Sequence, residues 1–206
     1  MLVNCRTCLL LIMFVLFFCC NSKANAAELS RLAIVSVSNE TDEPEFNNLL
    51  IAQGIASLVA QEFYDTGRFV PVEDNPEITR RIAELMTLSS SGKPAMDYAA
   101  VRKQLGCEAV AYARVKRFSK SRIRSFMGPV SGANVNIELD VEVTLQEGQR
   151  TALTAMGSST ATTKARGILF EVRNDKIHFD KTSVGLATQD AVRQAVKKMF
   201  DKKEDQ

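Results

Sequence analysis

Residues 134–145 read NVNIELDVEVTL, a run in which polar and apolar side chains alternate without a break. Successive side chains of a β-strand point to opposite faces, so this pattern predicts a long strand with one buried face and one wet face. Glu147, Gly148 and Gln149 follow as turn residues. Residues 151–163 are rich in small and β-branched side chains, which predicts a return strand. The second half of the chain is therefore expected to be built on antiparallel β-structure.

The first half of the chain alternates between strand and helix patterns. An apolar run at 32–37 predicts a buried strand, and apolar residues at helical spacing over 46–63 predict a helix that Gly67 ends. Further patterns predict a strand at 69–72, helices at 76–88 and 95–105, a strand at 107–115 and a final helix from 183. The resulting order is βαβααβββα. We therefore expect an α/β fold, a single-domain layered sheet with helices packed on it.

The first 26 residues have the pattern of a cleaved secretory signal peptide. Arg6 supplies a positive start, residues 9–18 are apolar, and Ala-Asn-Ala at 24–26 fits the cleavage site. The apolar run at 8–20 is shorter than the roughly 20 residues that a membrane-spanning helix needs. We therefore expect export to the periplasm and no transmembrane span in the mature chain. Association with the outer membrane is left open.

The expected organisation is a signal peptide at 1–26, one α/β domain at 27–200 and a charged tail at 201–206. Four of the five cysteines lie in the signal peptide, and lipidation at Cys19 or Cys20 remains an open alternative. The mature chain keeps only Cys107, which excludes an internal disulfide. Removal of the signal peptide leaves 24 basic and 24 acidic residues. Global charge therefore predicts binding neither to nucleic acid nor to a membrane.

The densest chemical feature is a basic segment at 114–124, which has no acid before Glu138. Its six cations are Arg114, Lys116, Arg117, Lys120, Arg122 and Arg124. One interpretation is a surface that attracts an acidic partner, and the other is an edge strand whose charges prevent aggregation. Residues 126–130 include Phe126 and Met127 and predict an exposed apolar contact loop. These eight residues are the candidate partner-binding site.

Few side chains suit catalysis or metal binding. Ser90 and Lys93 have the S-x-x-K spacing of penicillin-recognising enzymes, but Pro94 follows and no S-D-N phrase is present. His178 is the only histidine, so neither a catalytic triad nor a zinc site has an adequate set of residues. The acids at 40–45 lack the pattern of a calcium loop and are interpreted as the solvated entrance to the first helix. We expect a protein that is not an enzyme and uses no cofactor or metal.

Several local phrases, in this order of elements, resemble the CsgG family, named after a curli production assembly and transport component. They are LAIVSVSNET at 32–41, FYDTGRFVPVE at 63–73 and LGCEAV at 105–110, followed by the long strand, its turn and the final helix. Similar phrases occur in the amino-terminal domain of TolB and in LpoB-type activators of penicillin-binding proteins. The resemblance implies an α/β domain of a cell-envelope protein that binds other proteins in the assembly or transport of a surface product.

The best-known member of that family forms an outer-membrane pore, which needs two hairpins with strands of about 9–11 residues and a lipid-facing apolar side. One candidate hairpin, at 117–132, has no apolar side because arginines and serines interrupt it. The other, at 166–182 with a turn at Asn174, reaches roughly half the necessary height. We therefore expect a soluble periplasmic relative.

The sequence leaves several alternatives open beside this preferred function. They are an LpoB-like activator of a peptidoglycan synthase, an outer-membrane secretion pore subunit, and a cell-wall serine hydrolase that uses Ser90 and Lys93. The expected partners are other cell-envelope proteins. Self-association is also open, since the resemblance implies relatives that form rings.

Overall fold

The structure is a computed structural model that describes residues 29–72, 75–90, 97–127, 130–164, 169–174 and 176–201. The predicted signal peptide with Cys19 and Cys20, Lys93, and residues 202–206 of the predicted tail lie outside the described residues. The strands are β1 (Ser30–Asn39), β2 (Phe69–Pro71), β3 (Ala109–Met127), β4 (Val130–Glu147), β5 (Leu153–Lys164), β6 (Glu171–Arg173) and β7 (Lys176–His178). The helices are α1 (Leu49–Asp65), α2 (Pro76–Ser90), α3 (Tyr98–Leu105) and α4 (Ser183–Asp201), with 3₁₀ turns at Pro44–Asn47 and Phe179–Lys181.

Five strands form one mixed sheet in the order β2-β1-β3-β4-β5. β1 pairs in parallel with β2 and β3, whereas β4 pairs antiparallel with both β3 and β5. Parallel neighbours need a long crossover, and the helices of the first half supply it. β6 and β7 form a separate hairpin around the predicted turn at Asn174. The predicted layered α/β fold is confirmed, with this hairpin added before the last helix.

Helices α1 and α4 cover one face of the sheet and enclose the larger hydrophobic core. The odd-numbered residues 137–145 of β4 project into this core, and none is more than 1% exposed. Phe63 of α1 is fully buried, and its ring packs edge-on against Phe69 of β2 and Phe200 of α4. The alternation in residues 134–145 therefore produces the buried face that it predicts.

Helices α2 and α3 cover the opposite side of the sheet beside β1 and β3. The smaller hydrophobic cluster there joins Ala33, Val35 and Val110 to Val101 and Leu105. The even-numbered residues 134–146 of β4 and 154–162 of β5 lie on this side beyond those helices. The exposed ones include Thr154, Met156, Ser158 and Thr160. We call the surface formed by these even-numbered residues and the β3 residues opposite them the open face.

Strand β3 is longer than the sequence predicts. It continues past the expected end at 115, because every residue from 117 to 127 pairs with a residue of β4. Pairing satisfies the main-chain polar groups whatever side chains they carry, so a charged sequence can remain in a strand. The prediction of a contact loop at 126–130 is wrong in its bounds. Phe126 and Met127 end β3 and Val130 begins β4, while residues 128–129 lie outside the described part.

The helices begin and end close to the predicted residues. Gly67 and Gly106 follow α1 and α3 in the left-handed conformation, with φ of 67° and 62°. At the start of α2, the Glu77 N–H donates to Asn75 Oδ1 over 2.9 Å. Helix α2 runs to Ser90, two residues past its predicted end. Among the described residues, we find no helix with the length and apolar character needed to cross a membrane.

Candidate binding surface

All eight residues of the predicted partner-binding site belong to β3. The side chains of Arg122, Arg124, Phe126 and Met127 lie outside the described part of the structure, and only their backbone pairing with β4 can be stated. The other four are Arg114, Lys116, Arg117 and Lys120, and each forms an ion pair with an acid. The basic segment is thus partly neutralised within the chain itself.

A β-bulge at Lys116 decides which way these cations point. The register of β3 against β4 shifts between Val115 and Arg117, so Arg114 lies opposite Glu142 and Arg117 lies opposite Asp140. In a regular strand, residues 114 and 117 would project to opposite faces, whereas an inserted residue brings them to the same face. Both guanidinium groups therefore lie on the open face.

The open face carries an ion-pair network across β3 and β4. Arg114 pairs with Glu142 and, at 3.6 Å, with Glu40, which also pairs with Lys116. The sequence contains the signal for part of this network, because acids alternate at 138, 140 and 142 on the predicted wet face. The register that sets those acids opposite the cations cannot be derived from the sequence, so the network was not predicted.

The acids before α1 are not simply a solvated entrance to that helix. Glu43 pairs with Lys120, and the carboxylate side chain of Glu43 is only 16% exposed. The Lys120 ammonium also lies 5.1 Å from the centre of the Phe118 ring, which packs edge-on against Phe46. Together with the Glu40–Lys116 pair, these contacts bind the loop after β1 to the basic segment. That part of the sequence prediction is wrong for Glu43, whereas Glu40 is exposed as predicted but is also paired with Lys116.

The geometry of β3 bears on both interpretations of the basic segment. β1 pairs with β3 as far as Val115. Beyond Val115, β4 is the one strand among the described residues that pairs with β3. This part of β3 is an edge, which is the setting that protection by charge requires. The choice between a binding surface and edge protection stays a prediction.

The ion pair between Glu40 and Lys116 should make the stability of the fold sensitive to acid. The hydrogen bond from Lys116, with the positive charges of Lys116 and Arg114, lowers the pKa of Glu40 from its usual value of 4.5. A lowered folded-state pKa contributes stability above the unfolded pKa, and that stability is lost as the pH falls through the folded one. We expect Glu40→Gln to lower the free energy of unfolding at neutral pH, with the deficit shrinking below pH 4.5.

Urea unfolding of both proteins over a pH series measures this deficit. Asp42→Asn is the matched control, because Asp42 is an exposed acid of the same loop. A deficit of equal size at neutral and acid pH would contradict the assigned role of the pair.

A pocket of about 550 Å³ lies beside the ion pairs of β3 and β4, at the border of the sheet that β5 forms. Its walls are Arg117, Glu138, Asp140, Ser158, Ser159, Thr160 and Gln194. The Arg117 guanidinium contacts Asp140 Oδ2 at 2.8 Å and Glu138 Oε2 at 3.2 Å. Asp140 is 9% exposed, and its Oδ1 atom has no hydrogen-bond partner. That atom is shielded from solvent, and the more accessible carboxylate of the pocket is that of Glu138, whose side chain is 48% exposed.

β5 forms one border of the sheet, and its outer edge faces away from β4. Lys198 Nζ donates to the Met156 carbonyl oxygen over 3.1 Å, so that carbonyl points out of the sheet. Main-chain groups of successive residues in an antiparallel strand point alternately to the two sides. The N–H and C=O groups of Ser158 and Thr160 therefore also point outward, at the pocket.

The residues considered for catalysis are described only in part. Ser90 is the last residue of α2, Lys93 lies outside the described residues, and His178 ends β7. Cys107 is 6% exposed, and burial together with the Glu108 charge raises the pKa of its thiol. The described residues contain no group of three or more His, Cys, Asp or Glu side chains that could hold a metal ion.

Comparisons with known proteins give similarities to solved structures. The lipoprotein GNA1162 from Neisseria meningitidis shares 12% identity over 68% of this chain and 86% of its own, with a TM-score of 0.41. The hypothetical protein CT253 from Chlamydia trachomatis shares 15% identity over 82% and 95%, with a TM-score of 0.44. The PelC dodecamer from Paraburkholderia phytofirmans shares 12% identity over 81% and 85%, with a TM-score of 0.40.

No family model matches the chain, and no curated protein matches it. With identities of 15% or less and TM-scores below 0.5, the three structural similarities assign neither a family nor a function. The resemblance to the CsgG family therefore stays a prediction.

Proposed function

We propose that the mature chain is an exported, non-enzymatic protein of the bacterial cell envelope that acts by binding another protein. The support comes from the contrast between the two edges of the sheet. β2 is three residues long and ends at Pro71, and both features keep an edge strand from pairing with other chains. β5 is twelve residues long and has neither a charge nor a proline before Lys164.

A long uncharged edge presents a row of unpaired N–H and C=O groups that another chain can use. Natural proteins usually blunt such an edge because it leads to aggregation, and β2 is blunted by its length and by Pro71. Among the described residues, Lys198 caps the Met156 carbonyl of β5, and a partner that covers the rest of that edge would explain why it is kept. The signal-peptide pattern at 1–26 supports an envelope location for this partner. We assign the binding role to the assembly or transport of a surface product, on the basis of the sequence resemblance to the CsgG family.

Photo-crosslinking in the native host tests the proposal at the β5 edge. A photoreactive phenylalanine analogue replaces Thr162, which is exposed on β5, or Tyr64, which is 51% exposed on α1. We expect a discrete protein adduct from position 162 at least tenfold stronger than from position 64. Adding Thr160→Pro should abolish that adduct, because proline removes an outward N–H without taking a hydrogen bond from the ladder with β4.

Equal crosslinking at positions 162 and 64, or an adduct that survives Thr160→Pro, would contradict the proposal. So would covalent labelling of the purified chain by a fluorescent penicillin that disappears in Ser90→Ala. That result would support the serine hydrolase instead.

A further inference from the structure

On the basis of the proposed binding function, we propose that the partner supplies an extended segment that pairs with the outer edge of β5. One lysine or arginine of that segment occupies the pocket beside Asp140. The occupant is thus a basic, extended peptide, and its recognition combines main-chain pairing with one charged anchor.

The backbone supplies the first part of this recognition. Ser158 and Thr160 direct their N–H and C=O groups out of the sheet, as the contact between Lys198 and the Met156 carbonyl indicates. An added strand would bond to these groups while its own side chains alternate between the two sides of the sheet. Every second side chain of the segment therefore projects on the side of the open face, where the pocket lies.

The pocket supplies the second part. It holds two carboxylates and one guanidinium, so it carries a net negative charge while Arg117 stays bound to Glu138 and Asp140. The Glu138 side chain is 48% exposed, so its carboxylate can accept from a further donor while Arg117 stays bound. An ammonium or guanidinium group supplies that donor, and a charged donor to a carboxylate forms a strong hydrogen bond.

The hydroxyl groups around the pocket suit the same ligand. Ser158 and Thr160 line it from the open face, and Gln194 of α4 lines it from the other side of the strand. Their oxygen atoms can accept the remaining N–H groups of a basic side chain. An acidic side chain would meet Glu138 and Asp140 and be repelled.

A displayed library of random heptapeptides, selected on the exported chain, tests the inference. We expect the enriched peptides to share one lysine or arginine flanked by β-branched residues, which favour an extended backbone. Fluorescence anisotropy then compares a selected peptide with its lysine-to-norleucine analogue and with an analogue methylated on alternate backbone nitrogens. Each change should weaken binding at least tenfold.

Matched variants of the protein locate the site. Asp140→Asn should weaken the selected peptide at least tenfold, since it removes the charge that the anchor meets. Glu147→Gln is the control, because Glu147 is an acid of the same strand that lies outside the pocket and outside the ion-pair network, and it should change binding less than twofold. Circular dichroism confirms that each variant folds. If Asp140→Asn does not fold, the norleucine analogue decides the question with the unaltered protein.

The inference is overturned by a library without enrichment, by enriched peptides that lack a basic residue, or by binding that neither Asp140→Asn nor norleucine weakens. A dimer formed through β5 in the absence of peptide would overturn it too, since a second copy would then be the occupant. If one of these results accompanies a specific adduct at position 162, the inference fails and the proposed function stands. If position 162 gives no such adduct, the proposed function itself fails.

Discussion

Gly157→Ala is expected to lower the free energy of unfolding by about 3 kcal/mol, at the upper end of the usual cost of overpacking. Gly157 lies in β5 directly under α4. A Cβ atom at this position would come within 1.8 Å of the Ala191 carbonyl oxygen and 2.7 Å of the Ala195 nitrogen. Both are backbone atoms, so no side-chain rotation relieves the clash and α4 must move away from the sheet. Urea unfolding of the exported chain measures the loss.

Gly106→Ala is the control for this prediction. Gly106 has φ of 62°, and an added Cβ would meet no atom within 4 Å. Its replacement strains only the backbone, at a cost of about 1 kcal/mol. If Gly157→Ala unfolds at the same urea concentration as Gly106→Ala, the close approach of α4 to β5 is not as described.

Phe63→Ala is expected to lower the free energy of unfolding by about 4 kcal/mol, because a large aromatic side chain is removed from a packed core. The Phe63 side chain has no exposed surface. Its ring centre lies 5.4 Å from that of Phe69 and 6.1 Å from that of Phe200, so one side chain joins α1 to β2 and α4. The cavity left by alanine would lie between three elements that cannot all close on it. The midpoint of urea unfolding should fall while its slope stays constant.

Tyr64→Ala is the matched control, since it removes a neighbouring aromatic side chain that is 51% exposed. We expect it to change stability by less than about 0.5 kcal/mol. Equal losses from the two variants would show that Phe63 does not connect these elements.

Much of the fold could be predicted because its signals are local. The stripe of apolar residues that ends at Phe63 needs no partner to indicate a helix, and Gly67 and Gly106 mark helix ends through their own backbone freedom. The end of β3 could not be predicted in this way. Residues 117–127 carry charges that predict no buried strand, and their pairing with β4 keeps them in one.

The candidate site was predicted only in part. The four cations Arg114, Lys116, Arg117 and Lys120 are evident in the sequence, but their partners within the chain are not. Glu40 lies 76 positions before Lys116 in the sequence, and the two meet only because β1 and β3 are parallel neighbours. The pocket beside Asp140 was missed altogether, because its walls come from β3, β4, β5 and α4.

The sequence alone determined the α/β class and the wet and dry faces of residues 134–145, since side-chain periodicity depends only on neighbouring residues. Tertiary structure decided the bulge at Lys116, the register that sets Arg117 against Asp140, and the position of β5 at the border of the sheet. The physical reason is that main-chain hydrogen bonds between strands are nearly the same for every residue type. Which strands pair, and in what register, is fixed only when the whole core packs.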